Sequence, residues 1–343
     1  MRSKVYLLIL LVSCCLGMTI PLRSQDPKLV ELRNQFAVRY LQPDAHFALA
    51  RYYLDQHNYL QAFFIIEYAR RYRFDEKDFD AAFMAFFGDP MPEPPDEAKA
   101  AFETASKLVT QQKYNEAEVY FQKAYKIYDR SFFINAWIAR FYYKTKSDNL
   151  SALPYYFKAY FLYPDAYETE YVESRIRAIS IADAENSFKA RLKDGKEPSE
   201  LARDQNPLIV GMAIEEMMKS WKQEYVPVLL EAMNNDDSVV RWSAFVTLQK
   251  NAGASIDQLL ADKDLRKRGL AAYSIVERAG PEKFSILEKM LSDQAELVRF
   301  DAVSALAQKG GATGKQILRK HAPLEKQARL KALIDMALKE SPQ

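Results

Sequence analysis

The chain has 343 residues, room for two or three domains, and its 49% hydrophobic and 27% charged residues place it among globular rather than disordered proteins. It carries 48 bases against 46 acids, and the first 24 residues hold three of those bases (Arg2, Lys4 and Arg23) and no acid. The remainder is therefore close to neutral, with no electrostatic reason to bind nucleic acid.

Arg2 and Lys4 precede a mostly apolar run, Val5–Leu16. As a helix it would rise about 18 Å, well short of a bilayer core of about 30 Å. The segment reads as an export signal over residues 1–24. Leu11-Val12-Ser13-Cys14 resembles the bacterial lipoprotein box. That resemblance implies acylation of Cys14, removal of residues 1–13 and a tether to the membrane. Ordinary cleavage near Ser24–Gln25 is the alternative, and it would discard both cysteines. Cys14 and Cys15 are the only two, so the body has no disulfide framework.

Asp26–Leu41 reads as a helix covering the open end of a set of helix pairs. From Ala45 onward, apolar residues recur at three and four, the spacing of amphipathic helices. Helix pairs are predicted over Ala45–Phe74, about Glu97–Asp129 and about Phe133–Pro164. Each second helix carries two small residues seven apart: Ala62 and Ala69, Ala117 and Ala124, Ala152 and Ala159. Little side chain at a crossing lets two helices approach, and aromatics fill the space beside it. Together with Leu49, Ala50, Tyr53, Ala105, Leu108, Tyr114, Ala139 and Tyr143, these residues resemble the tetratricopeptide repeat. Arg140 stands where a small residue is expected and Asn149 replaces an aromatic at the turn, so the third pair is expected to pack loosely or to be an end repeat.

Ala62 and Ala117 are 55 residues apart, whereas Ala117 and Ala152 are 35 apart. The excess marks an insertion over 75–95, with Phe79, Phe83, Phe86 and Phe87 on a short apolar stretch before Pro90, Pro92, Pro94 and Pro95. Those aromatics either pack on neighbouring helices or form an exposed patch for a partner. The resemblance implies a concave groove lined by the first helix of each pair. By position it would display Phe47 and Arg51, Phe102 and Ser106, and Trp137, Phe141 and Lys144. The Lys/Asn/Arg carboxylate clamp of the family's chaperone adaptors is absent. An aromatic groove with scattered bases suits an apolar peptide or helix; alternatively, Trp137 and Phe141 fill a core.

Composition then changes: 19 of 21 Tyr and 16 of 20 Phe lie before residue 172. Tyr167–Leu192 reads as one or two helices, broken at Asp194-Gly195-Lys196-Glu197-Pro198 and restarted at Asp204–Pro207. From there an Arg recurs on apolar helices: Arg241, Arg268, Arg299 and Arg329, with Leu265-Arg266 a rival register for the second. Intervening helices are predicted at Glu224–Met233, Ser255–Ala261, Pro281–Leu291 and Ala312–Lys320. The Val-Arg-x-x-Ala-x-x-x-Leu pattern is similar to HEAT repeats, including those of phycobilin lyase-type proteins. Acids precede the arginines (Asp237, Asp293 with Glu296, and Glu325), which favours a structural role for the ladder.

No catalytic constellation is evident. The three histidines, His46, His57 and His321, lack a second ligand at metal spacing, and the His-Glu pairs of HEAT-type iron hydroxylases do not occur. Gly310-Gly311-Ala312-Thr313-Gly314-Lys315 fails as a phosphate loop, because Lys309 and Gln316 stand where Gly and Ser or Thr are required; it reads as a helix–helix turn. Asn149-Leu150-Ser151 is a glycosylation sequon, relevant only in a eukaryotic secretory pathway.

The expectation is an all-α protein, an α-solenoid of tetratricopeptide-like pairs (25–165), linking helices (166–205) and HEAT-like pairs (206–343). It would be a non-enzymatic scaffold of the bacterial cell envelope or periplasm, binding a protein or peptide, with no cofactor and no metal. The alternative is a chromophore- or cofactor-handling lyase or isomerase, which the export signal argues against.

Overall fold

The computed structural model describes residues 26–71, 79, 81–83, 93–162, 169–252, 256–276 and 284–339. Cys14, Phe86 and Phe87 lie outside them, as does the expected export segment. Among the described residues there are eighteen α-helices and no strand, so the fold is all-α. None of these helices is long and apolar enough to cross a membrane.

The first half comprises α1 (Pro27–Val38), α2 (Pro43–Asp55), α3 (Tyr59–Arg71), α4 (Asp96–Thr110), α5 (Tyr114–Ile127), α6 (Phe132–Arg140) and α7 (Asn149–Leu162). Their starts follow from local chemistry. Asp26 accepts the Lys28 N–H ahead of Pro27 on α1, and Ser131 accepts the Ile134 N–H on α6. The alanines at the predicted crossings, Ala62, Ala69, Ala117, Ala124, Ala152 and Ala159, are all fully buried.

One turn geometry recurs in the three hairpins. His57, Gln112 and Ser147 each adopt left-handed backbone, at φ 57°, 59° and 54°, five residues before Ala62, Ala117 and Ala152. Left-handed φ is uncommon outside glycine, so its recurrence at non-glycine residues marks a shared constraint. In the first two turns the N–H of the next residue bonds back five places, Asn58 to Tyr53 and Lys113 to Leu108. In the third, Asp148 reaches Tyr142, six places back, and α6 runs on as a π-turn, Phe141–Thr145. The extra residue is absorbed within the helix. The third pair is therefore not loose: Ala139, Tyr156 and Ala159 have no exposure, and Arg140 lies outside the contact.

The pairs do not stack in chain order. α5 meets the α6–α7 hairpin through Phe121 on Phe141 and Tyr125 on Tyr155. α3 meets the same hairpin from α7, through Phe63 on Phe157 and Tyr160. The third pair thus lies between the second and the first.

A single helix, α8 (Thr169–Lys193), leads out. It is tied to α3 by Arg70 on Glu173 and by Arg177 on Glu67. It ends where Gly195 takes φ 83° and the Lys196 N–H returns to the Arg191 carbonyl. The second half continues as α9 (Pro198–Leu201), α10 (Pro207–Lys219), α11 (Val226–Ala232), α12 (Ser238–Ala252), α13 (Ile256–Leu260), α14 (Leu265–Ser274), α15 (Phe284–Met290), α16 (Glu296–Lys309), α17 (Gly311–His321) and α18 (Ala328–Lys339). Asn206, Asp237 and Asp264 cap α10, α12 and α14. At the α16–α17 turn, a Cβ on Gly310 would meet the Leu306 carbonyl at 2.5 Å, and one on Gly314 at 2.6 Å. These glycines let two helices press together.

α1 packs on α2, the first helix of the first pair, and also on α14 and α16, so the first described helix closes against the second half as well. The Tyr40 ring lies 5.2 Å from Phe300, and the Leu41 N–H donates to Glu296 Oε2 at 2.9 Å.

Candidate functional site

Of the residues expected to line one groove, only some come together. Phe102 on α4 and Trp137 on α6 meet edge to face, with centroids 6.2 Å apart. Phe141 is buried beneath them against Phe121, so it supports this surface rather than lining it. Ser106 is half-buried and its hydroxyl donates to the Phe102 carbonyl of its own helix. Lys144 is exposed, with its ammonium 5.9 Å from the Tyr171 ring. Phe47 is fully buried and packs 5.1 Å from Phe79 and 5.7 Å from Phe83. It lines no groove, and Phe79 and Phe83 form no exposed patch: the inserted aromatics close over α2. Arg51 is exposed on α2 and pairs with Asp55. The physical reason is the pair order. With the third pair placed between the other two, the first helices do not share one continuous concave face.

What remains open is one face of α6. Phe133 is 58% exposed and Trp137 43%, four residues apart and so neighbours on the helix surface. The Arg140 guanidinium sits 5.3 Å from the Trp137 ring centroid. Sequence reasoning misses Phe133 because α6 is apolar nearly all round, and periodicity alone cannot tell its core face from its open one.

The second place is the junction of the halves. Asp236, at the turn before α12, has a side chain only 2% exposed. Arg33 of α1 grips it in two bonds of 2.7 and 2.8 Å, while Arg266 of α14 and the Tyr53 hydroxyl of α2 also donate to it. Burial alone would push this carboxyl up, but Arg266 and Arg33 hold it below the ordinary range. Two consecutive helices of the first half and α14 of the second thus converge on one anion. Arg266 also pairs with Asp264 at 2.7 Å. The rival register for the ladder is the one the fold uses: Arg266 is buried, whereas Arg268 is half-buried and, among the described residues, makes only a 3.5 Å contact to Asp293.

Two other rungs share one backbone contact. Arg241 Nη1 donates to the carbonyls of Asn235 and Asp236, and Arg299 Nη1 to those of Asp293 and Gln294, the same offsets in each case. Arg299 also reaches Glu325 at 3.4 Å in the next helix pair.

Beside this hub lies a cavity of about 460 Å³. Phe36, Phe64 and Tyr68 wall it from the first half, and Trp242, Leu270 and Tyr273 from the second. His46 lines it with Nε2 2.6 Å from the Tyr40 carbonyl oxygen; burial pushes its pKa down to about 4, so it is neutral at neutral pH. Asp301 of α16 lines it too, its Oδ2 occupying the space that a Cβ on Gly269 would need. Burial pushes the Asp301 carboxyl up to about 7, against the pull of Arg241.

That shift has a measurable sign. Between pH about 4 and 7, folded Asp301 holds a proton that the unfolded chain has lost, so stability falls as pH rises. Asp301→Asn keeps the shape without the charge. Relative to the variant, the parent should lose up to about 4 kcal/mol between pH 4 and 7 and nothing further above it. Urea unfolding of both at pH 5 and pH 8 reads the difference, and parallel curves would refute it.

Among the described residues, no group of three or more His, Cys, Asp or Glu could hold a metal ion. No protein-family model matches the chain, and no curated protein or solved structure matches it.

Proposed function

We propose that this chain is a non-enzymatic helical-repeat scaffold that holds an apolar segment of a protein partner on the open face of α6. The observation that carries this reading is the pair Phe133 and Trp137, exposed side by side and flanked by Arg140. Aromatic residues beside arginine are the commonest anchors of protein interfaces, and a large apolar surface left in water marks a contact. The recurring left-handed hairpin turns and fully buried alanines support a tetratricopeptide-like first half. The repeated Arg-to-carbonyl contacts support a HEAT-like second half. The charged-then-apolar start of the sequence supports an exported setting, with Cys14 as the tether if the lipoprotein pattern operates.

The partner segment that fits is an amphipathic helix or extended peptide with aromatic or aliphatic anchors and an acidic flank facing Arg140. The test is recovery of partners from envelope extract by the parent and by Phe133→Ala/Trp137→Ala, with thermal unfolding as the folding control. Losing two central anchors should weaken binding by about 2 kcal/mol or more, roughly thirtyfold. Equal recovery by a folded double variant would refute the assignment.

A further inference from the structure

The junction cavity holds an acid and a base that form no ion pair among the described residues. Three carboxylates line it: Asp236, Asp237 and Asp301. Asp236 is gripped by two arginines and a tyrosine, and Asp237 caps α12 by accepting from the Val239 and Val240 N–H groups. Asp301 has neither a hydrogen bond nor an ion pair among the described residues, although it is partly open to the cavity. Of the lining arginines, Arg266 is paired with Asp236 and Asp264. Arg241 is 5% exposed, meets only carbonyls, leaves Nε without an acceptor, and forms no ion pair among the described residues.

Burying an unpaired carboxyl or guanidinium is expensive, and native proteins seldom keep one without a use. Here both flank one cavity and feel each other electrostatically from beyond ion-pair distance. Gln61, 4% exposed, lines the cavity as well. The rest of the wall is mostly aromatic and aliphatic, joined by His46, Ser238, Gln308 and Lys309; Trp242 and Tyr273 meet edge to face at 6.0 Å. A volume of about 460 Å³ falls within the roughly 300–1,000 Å³ of small-ligand sites.

We infer that this cavity is a binding site for a free α-amino acid with an aromatic or branched apolar side chain. Its carboxylate meets Arg241, its ammonium meets Asp301, and its side chain enters the wall formed by Phe36, Phe64, Tyr68, Trp242 and Tyr273. A zwitterion is the compact molecule that offers a partner to both groups at once, and the mostly aromatic and aliphatic wall favours an apolar side chain. The carboxyl of Asp301, held near 7 in the cavity by burial, is poised to ionise when a cation arrives. This site stands apart from the α6 face and does not depend on it.

The test is titration calorimetry of the full chain with phenylalanine, leucine and lysine. Two trimmed analogues accompany them: phenethylamine, which lacks the carboxylate, and 3-phenylpropionate, which lacks the ammonium. Phenylalanine or leucine should bind, and each analogue and lysine should bind at least about tenfold more weakly. Asp301→Asn should lose at least about tenfold for phenylalanine. Trp242→Ala should weaken it too, which separates loss of the wall from loss of the charge. Folding of each variant is checked by thermal unfolding, and Arg241 is left intact because it holds two backbone carbonyls. No binding by any compound at millimolar concentration would overturn the inference. So would equal binding by phenethylamine, which would mean a simple cation site, or unchanged affinity in Asp301→Asn.

Discussion

Asp236→Ala should lower the unfolding free energy by about 3–5 kcal/mol, the largest effect expected of a surface-remote substitution in the second half. The size comes from what is left behind. Arg33 and Arg266 would remain at the junction with one carboxylate fewer, and the Tyr53 hydroxyl would lose its acceptor. Arg266 keeps Asp264, so Arg33 bears most of the loss. The effect should also be visible in its place. Because Arg33 and Tyr53 belong to the first half, hydrogen exchange should rise first in α1 and α2, before α10 or α17 respond. Replacing the acid and Arg33 together by apolar residues of similar volume should recover part of the loss, since a buried pair is easier to replace than to halve. A change below about 1 kcal/mol in Asp236→Ala, or exchange that rises evenly along the chain, would mean that the hub does not join the halves.

Phe47→Ala should cost about 3–5 kcal/mol, whereas Trp137→Ala should cost under about 1 kcal/mol. Both residues occupy equivalent places on the first helices of their pairs, and sequence treats them alike. Phe47 is fully enclosed by α2's surroundings and the inserted Phe79 and Phe83, so truncation empties a closed volume. Trp137 is 43% exposed, so its removal mainly uncovers one edge of Phe102. Urea unfolding of both variants decides the matter. Similar losses would mean that the inserted aromatics do not seal α2.

Much of the local structure is legible in the sequence. The seven-residue alanine spacing locates α3, α5 and α7, and those alanines are buried because backbones cross there. The break at Asp194–Pro198 ends α8, since Gly195 alone in that stretch takes left-handed backbone freely. The arginine ladder is legible as structure, yet its second rung is ambiguous between Arg266 and Arg268. Both lie on α14, and only packing against the Asp236 turn chooses between them.

The candidate sites are legible in part. Sequence places Phe102 and Trp137 together but not Phe133, because a helix apolar on every side carries no periodic signal of which face stays open. The cavity has no signal at all. Gln61, Arg241 and Asp301 are 180 and 60 residues apart in sequence and sit in ordinary helical contexts.

Sequence by itself therefore determined the all-α class, the hairpins, their turns and the change of packing style near residue 172, all of which rest on interactions within one or two helices. Tertiary structure alone decided the order of the pairs, the closing of α1 onto α14 and α16, and the cavity at that closure. These depend on which apolar faces find each other across hundreds of residues. Many faces of similar hydrophobicity could do so, and the choice is made by buried charges such as Asp236 that must find their partners.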